Sequence, residues 1–188
     1  WVGNLAGLSS ALLTAGILNF MPPTNDKRLG YGILAGSGVA GLGAGLALSP
    51  SLQFSTSDQV LTVLGALEGA WYGAWLTNYF SNNEKEWGGA AIGMSLGFVG
   101  ASAWSQFSDF HMYDVLQIEL GALYGKLLGT GLTLLAREPK HDSTSFIGSV
   151  NGGQLIGGVI GLAGSAYLAK NLEFKGGDTP LIPIATVL

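Results

Sequence analysis

Apolar residues run through this chain in six long segments, residues 1–20, 29–48, 59–80, 87–107, 115–136 and 145–169. Short polar stretches separate them, among them Met21-Pro-Pro-Thr-Asn-Asp-Lys-Arg28, Ser81-Asn-Asn-Glu-Lys-Glu86 and Arg137-Glu-Pro-Lys-His-Asp-Ser-Thr144. All six prolines lie outside the segments, as uninterrupted helix requires. Only Glu68, Glu119 and Lys126 among the charged side chains lie inside them. Each segment has 20 to 25 residues, and at about 1.5 Å rise per residue that covers the ~30 Å of bilayer hydrocarbon. The pattern predicts an all-α membrane protein with six transmembrane-length helices over residues 1–169 and a C-terminal tail over 170–188. Ser57 or Asp58, Asp114, and the stretch Asp142 to Ser145 are the expected caps of the third, fifth and sixth helices. Aromatic residues such as Phe20, Tyr79, Trp87, Phe107 and Tyr113 stand near segment ends, where membrane interfaces favour them.

The glycines change the picture. There are 31 in 188 residues, and 29 of them lie inside the segments. In water each mid-helix glycine costs about 1 kcal/mol against alanine, so soluble proteins place glycine in turns. Inside long uncharged segments it makes sense where helix backbones must approach closely. Every segment carries a row of small residues four apart: Gly3-Gly7-Ala11-Ala15, Ser37-Gly41-Gly45-Ser49, Gly65-Gly69-Gly73-Thr77, Gly89-Gly93-Gly97-Ala101-Ser105, Gly121-Gly125-Gly129-Thr133 and Gly153-Gly157-Gly161-Ser165-Ala169. These read as glycine zippers whose glycines are the helix-packing residues.

The rows also repeat. At an offset of 56 the third segment matches the fifth through Asp58/Asp114, Gly65/Gly121, Gly69/Gly125, Gly73/Gly129 and Thr77/Thr133, and the first segment joins through Gly3, Leu5 and Gly7. The even segments share a second pattern, read at Gly32-Gly36-Ala40-Gly43-Ala44, Gly89-Gly93-Gly97-Gly100-Ala101 and Gly153-Gly157-Gly161-Gly164-Ser165. The expected architecture is therefore three parallel copies of a two-helix unit. With Leu-Gly-Ala-Leu-x-Gly-x-x-x-Gly at 64–73 and again at 120–129, the chain resembles glycine-zipper repeat regions in envelope proteins of predatory bacteria. That resemblance implies a membrane location in a bacterial envelope, inner or outer, and brings no activity or catalytic residues with it.

Two other architectures compete. An outer-membrane β-barrel suits the acidic pI of about 4.9, the absent cysteine and the plentiful Gly, Trp and Tyr. Membrane strands need only about 9–11 residues, however, and these segments run twice that without an Asn-Gly or Asp-Gly turn. A soluble helical repeat would have to hide apolar faces that have no polar faces opposite them.

Chemistry is sparse. Charged residues are only 11% of the chain, and eight Lys+Arg against twelve Asp+Glu leave a net charge of −4 with no basic run, which speaks against nucleic acid as a partner. Without cysteine there is no disulfide, thiolate metal site or thiol nucleophile. No catalytic motif is present, no cofactor loop is credible, and Asp109, His111 and Asp114 read as an exposed polar loop rather than a metal site. Residue 1 is Trp, which suggests a chain cut from a longer protein. Glu68 and Lys126 fall where the bilayer midplane should be, so they are the polar candidates: an ion-handling or water-lining pair, or an interhelical salt bridge that fixes register. Lys and Arg concentrate in the odd-numbered loops, which would place those loops in the cytoplasm of an inner-membrane protein. The expected function is non-enzymatic: an oligomeric pore or lipid-enclosing helical assembly, with membrane lipid and further copies of itself as partners. A secondary transporter, or an anchor for a missing N-terminal domain, are the alternatives.

Overall fold

In the computed structural model, residues 2–21, 27–80, 85–136 and 143–171 are described. They form six α-helices: α1 Val2–Phe20, α2 Lys27–Leu48, α3 Thr56–Phe80, α4 Glu86–Ser105, α5 Met112–Ala136 and α6 Ser143–Asn171. A single 3₁₀ turn at Ser49–Ser51, with Pro50 inside it, ends α2 and passes into extended backbone at Leu52. No strand occurs among the described residues, so the barrel alternative is set aside for them. His141, the caps at Asp142 and the tail beyond Asn171 lie outside the described residues.

Helix starts differ in detail from the sequence reading, and capping explains the difference. α3 begins before Asp58 because Ser55 is its N-cap. The Ser55 N–H donates to Asp58 Oδ2 at 2.7 Å and the Asp58 N–H donates to Ser55 Oγ at 3.2 Å, a reciprocal capping box. At α5 the His111 N–H donates to Asp114 Oδ2 at 2.8 Å in the same way. Both aspartates therefore sit one turn inside their helices, where the carboxylate also meets the positive end of the helix dipole.

Three helices are long and apolar enough to cross a membrane, Val2–Phe20, Leu29–Ser51 and Val150–Ala169. The other three have the length, at 25, 20 and 25 residues, but their apolar character is diluted. α3 carries Asp58, Gln59, Glu68 and Asn78, α5 carries Asp114, Gln117, Glu119 and Lys126, and α4 spends five positions on glycine.

By contact the chain groups as two compact units, Trp1–Phe107 and Ser108–Leu188, where the sequence reading takes 1–169 as one bundle. In the first unit α1 packs on α2 and on α4, and α4 packs on α3, giving a row in the order α2, α1, α4, α3. Neighbours run antiparallel, because contacts pair Gly3 with Leu46 and Gly7 with Gly38, Ser9 with Ser95 and Gly16 with Gly88, Gly65 with Ala101 and Gly73 with Gly89. One end of this unit gathers the C-terminus of α1 and the start of α4, where Lys85 Nζ donates to the Phe20 carbonyl at 3.4 Å and lies 5.4 Å from the centre of its ring. At the other end Gln106 Nε2 donates to the Gln53 carbonyl at 3.3 Å. In the second unit α5 and α6 form an antiparallel pair.

Glycine decides the α3/α4 spacing. A methyl group added at Gly69 would run into the carbonyl oxygen of Gly93, and one added at Gly93 would meet that of Gly69. Gly100, by contrast, has open space where its Cβ would be. Gly93→Ala should lose about 1–3 kcal/mol to overpacking, partly offset by the roughly 1 kcal/mol alanine gains in a helix. Gly100→Ala should keep that gain in full. Thermal unfolding of both variants in one detergent checks this; equal midpoints would mean that the backbones do not meet at Gly93.

Candidate functional site

The helix contact faces bring together most residues singled out from the sequence. Between α3 and α4, Gly65 faces Gly97 and Ala101, Gly69 faces Gly93 and Gly97, and Gly73 faces Gly89 and Gly93. Between α5 and α6, Gly121 faces Gly161 and Ser165, Gly125 faces Gly157 and Gly161, and Gly129 faces Gly153 and Gly157. In both pairs the space for the missing side chains is taken by a backbone carbonyl or hydroxyl of the facing helix, except at Gly65, where the Ala101 methyl fills it. That brings Cα–H groups against carbonyl oxygens, contacts worth perhaps 0.5–1 kcal/mol each. A threonine closes each row: Thr77 donates to the Gly73 carbonyl and Thr133 to the Gly129 carbonyl, both at 2.8 Å, and each lies against the first glycine of the facing row, Gly89 or Gly153.

The α1/α2 contact is built differently. Gly3 and Gly7 face α2 as expected, but α2 meets them with Gly38, Leu42, Gly45 and Leu46, while Gly41 receives Ser10 and Ala6. Gly32, Gly36 and Gly43 have open space where a Cβ would be. α2 thus uses the Ser37-Gly41-Gly45 row and leaves its Gly32-Gly36-Ala40 row facing outward. The two rows lie on nearly opposite sides of a 3.6-residue helix.

Hydroxyls stitch the same faces. Ser95 Oγ donates to the Ser9 carbonyl at 2.8 Å and Ser9 Oγ to the Ser95 carbonyl at 3.4 Å, a reciprocal pair joining α1 and α4 in the interior. Ser10 Oγ donates to the Ser37 carbonyl at 2.8 Å between α1 and α2, and Ser102 Oγ to Thr62 Oγ1 at 3.4 Å between α4 and α3. Each of the three α-helix contacts in the first unit therefore carries at least one hydroxyl bridge. The Ser9/Ser95 pair, and the Gly16/Gly88 contact about two helical turns along the same face, are not singled out by the sequence reading. A signal was present in the doublet Gly88-Gly89: adjacent helical residues point about 100° apart, so the two stand on different faces of α4, Gly88 against α1 and Gly89 against α3.

Glu68 stands at the middle of α3, in the first unit, and Lys126 at the middle of α5, in the second; both are half-buried. Asp114, imagined in a loop cluster with Asp109 and His111, serves as the cap of α5. No group of three His, Asp or Glu able to hold a metal occurs among the described residues.

Clefts flank the glycine contacts. One, of about 180 Å³, lies between α1, α3 and α4 and is lined by Leu5, Leu8, Leu12, Val63, Ala66, Leu67, Met94 and Phe98 with Ser9. On α3/α4 a second cleft of about 490 Å³ runs between Tyr72, Leu76, Ile92 and Leu96, with Phe20 at one end. A third, of about 530 Å³, runs between Tyr124, Leu128, Leu132, Ile156 and Ile160 on α5/α6. Their walls are overwhelmingly hydrocarbon. Compared with protein-family models, with curated proteins and with solved structures, the chain matches none.

Two buried polar residues give opposite expectations. Ser95 is 2% exposed and fully bonded, so Ser95→Ala should cost about 0.6–1.7 kcal/mol, the range of interhelical hydrogen bonds in membranes. Gln117 is also 2% exposed, and its Oε1 meets no donor among the described residues. An unsatisfied buried acceptor costs about 1–3 kcal/mol, and Met has nearly the same shape. Gln117→Met should raise the unfolding midpoint and Ser95→Ala should lower it; a Gln117→Met variant less stable than the parent would mean that the amide has a partner.

Proposed function

We propose that the protein is a non-enzymatic integral membrane protein whose six helices all cross the bilayer as three two-helix glycine-zipper units, and that copies of it assemble around lipid in a bacterial envelope. The observation that carries this reading is an inversion of ordinary burial. Long apolar side chains lie outside: Leu29, Tyr31, Val39, Leu127, Leu132, Leu135, Ile156, Val159 and Ile160 are all exposed. Among the described residues the interior holds Ser9, Asp58, Thr62, Ser95, Ser105, Gln117, Asn151 and Ser165 with glycine, and of the eight buried apolar residues four are alanines, Ala66, Ala122, Ala166 and Ala169, beside Leu61, Phe110, Val115 and Ile118. A soluble monomer keeps its exposed apolar patches to a few hundred Å². Where lipid tails are the solvent, helices have no hydrophobic reason to hide leucine, and close packing of small residues holds them together.

The same contacts support crossing by the three less apolar helices. α4 is packed along α1, α3 along α4 and α5 along α6, so each is tied, directly or through one neighbour, to a helix apolar enough to span. The repeat draws support from equivalence of contacts: Gly69 with Gly93 corresponds to Gly125 with Gly157, Gly73 with Gly89 to Gly129 with Gly153, and Gly65 with Ala101 to Gly121 with Ser165. The α1/α2 unit departs from the other two, and this departure favours assembly. Aligned rows on α4 and α6 are each filled by a glycine row of the preceding helix, whereas Gly32 and Gly36 on α2 are open and Val39 beside them is 71% exposed. A second copy of the chain meeting the first through α2 would fill them. Among assemblies, the hydrocarbon walls of the clefts favour enclosing lipid over conducting ions.

The test is reconstitution. The protein should float with liposomes and stay with them through carbonate and urea washes; extraction into the wash would overturn the membrane reading. These 188 residues hold no cysteine, so Gly36→Cys can be crosslinked cleanly. It should give disulfide-linked dimers in liposomes, and Gly36→Ile should abolish the copy-to-copy contact while Gly100→Ile leaves it. Release of trapped dye from the same liposomes would speak for a pore, and retention for the lipid-enclosing assembly.

A further inference from the structure

Within the first unit the cleft between α1, α3 and α4 has a form that the other helix contacts lack. α1 and α3 stand on opposite sides of α4, so the space above α4 is walled by Leu5, Leu8 and Leu12 from one helix and Val63, Ala66 and Leu67 from the other. Met94 and Phe98 of α4 form its floor. The volume is about 180 Å³, of the size at which an apolar cavity in a protein stays dry and takes up a small hydrocarbon. Its one polar side chain, Ser9, already donates to the Ser95 carbonyl, so the cleft offers nothing to a polar ligand. The long axis follows α1 from Leu5 to Leu12, two helical turns or roughly 10 Å. The rim residues Leu8, Val63 and Leu67 are exposed, so the cleft opens sideways to whatever surrounds the helices.

We infer that this cleft is a binding site for one acyl chain of a membrane phospholipid. The inference rests on the membrane reading above, because only there is an alkyl chain the solvent at the rim. A chain entering between Leu8 and Leu67 covers the floor residues Met94 and Phe98 and fills the gap between α1 and α3. Those two helices are joined through α4, so the bound chain becomes the third element of their packing. The counterpart of the floor in α6 has Gly158 where α4 has Met94 and Leu162 where it has Phe98. What sets this cleft apart from the two larger clefts beside the α3/α4 and α5/α6 contacts is its third wall, α1, over a floor of Met94 and Phe98.

The experiment is native mass spectrometry of the full chain after detergent exchange, scored by phosphatidylethanolamine molecules retained per chain. The parent should retain one. Ala66→Phe fills the cleft from its wall, and Val63→Trp, at an exposed position, fills it from the rim with little risk to folding. Both should lower retention at least tenfold while helical circular dichroism is unchanged, and Leu135→Phe, on the exposed face of α5, should not lower it. Retention equal to the parent in both variants overturns the site, as does a parent that retains no phospholipid. Saturable uptake of free fatty acid in place of phospholipid would also overturn it. Flotation of the same samples with liposomes separates the two ideas. A protein that floats but retains no lipid leaves the membrane reading standing and removes this inference alone, and one that does not float removes both.

Discussion

Everything in this molecule follows from how closely two helix backbones can approach. An ordinary side chain holds helix axes about 8–10 Å apart. Where Gly69 meets Gly93, or Gly125 meets Gly157, a side chain as small as a methyl would strike a carbonyl oxygen of the partner. The approach is possible only because both sides are glycine, and it is useful only because it converts two solvated backbone surfaces into direct contact. Each such glycine gives up about 1 kcal/mol of helix propensity. Rows of three on each helix recover it through many small terms: dispersion, Cα–H contacts to carbonyls, and hydroxyls such as Thr77 and Thr133 that fill the end of each row.

The same constraint explains which parts of the fold were legible in the sequence. Helix positions were, because proline and charge are confined to the gaps and the six segments recur as α1 to α6 with shifts of a few residues. The α3/α4 and α5/α6 contacts were, because four-residue spacing leaves one face of small residues and each run of three glycines has a partner run of three on the facing helix. The α2 contact was legible only in part: the Ser37-Gly41-Gly45 row named from the sequence is the one that packs, but the Gly32-Gly36-Ala40 row satisfies the same spacing rule and stays open. Only the shape of α1, with Ala6 and Ser10 flanking Gly3 and Gly7, selects Gly41 and Gly45 over Gly32 and Gly36. Helix starts at Ser55 and His111 were displaced from the expected caps, since an aspartate can serve from one turn inside as well as from the cap itself.

Polar residues in the interior were legible only as a class. A serine within an apolar segment announces that it needs a partner, and nothing in its neighbours says which one. Ser9 and Ser95 are 86 residues apart and satisfy each other's carbonyls, whereas Gln117 keeps an oxygen without a donor among the described residues. Reciprocal hydroxyl-to-carbonyl bonds suit helices at close approach. The backbone carbonyl is already in a helical hydrogen bond, has a second lone pair to offer, and can be reached by a short side chain only when the axes are near. Glycine spacing and serine bridging are thus two halves of one device, and the α1/α4 face, with Gly16/Gly88 about two turns along from Ser9/Ser95, is an instance of it.

A fold held this way is nearly indifferent to the hydrophobic effect, and that indifference determines where it can be stable. Packing small residues against one another buries little apolar area, and area is what the hydrophobic effect rewards, at roughly 25 cal/mol per Å². Leucines, isoleucines and valines that could have supplied area point outward along every helix, and among the described residues only Leu61, Val115 and Ile118 of that kind are buried. In water those side chains would favour any rearrangement that covered them, at the expense of the glycine contacts. In a medium as apolar as themselves they have no preference, and the short-range contacts between backbones become the decisive term. The mixed helices α3 and α5 then become tolerable, since Glu68, Gln117 and Lys126 are carried on helices whose glycine faces bind them to more apolar neighbours. What surrounds the helices therefore selects the fold as firmly as the contacts within it.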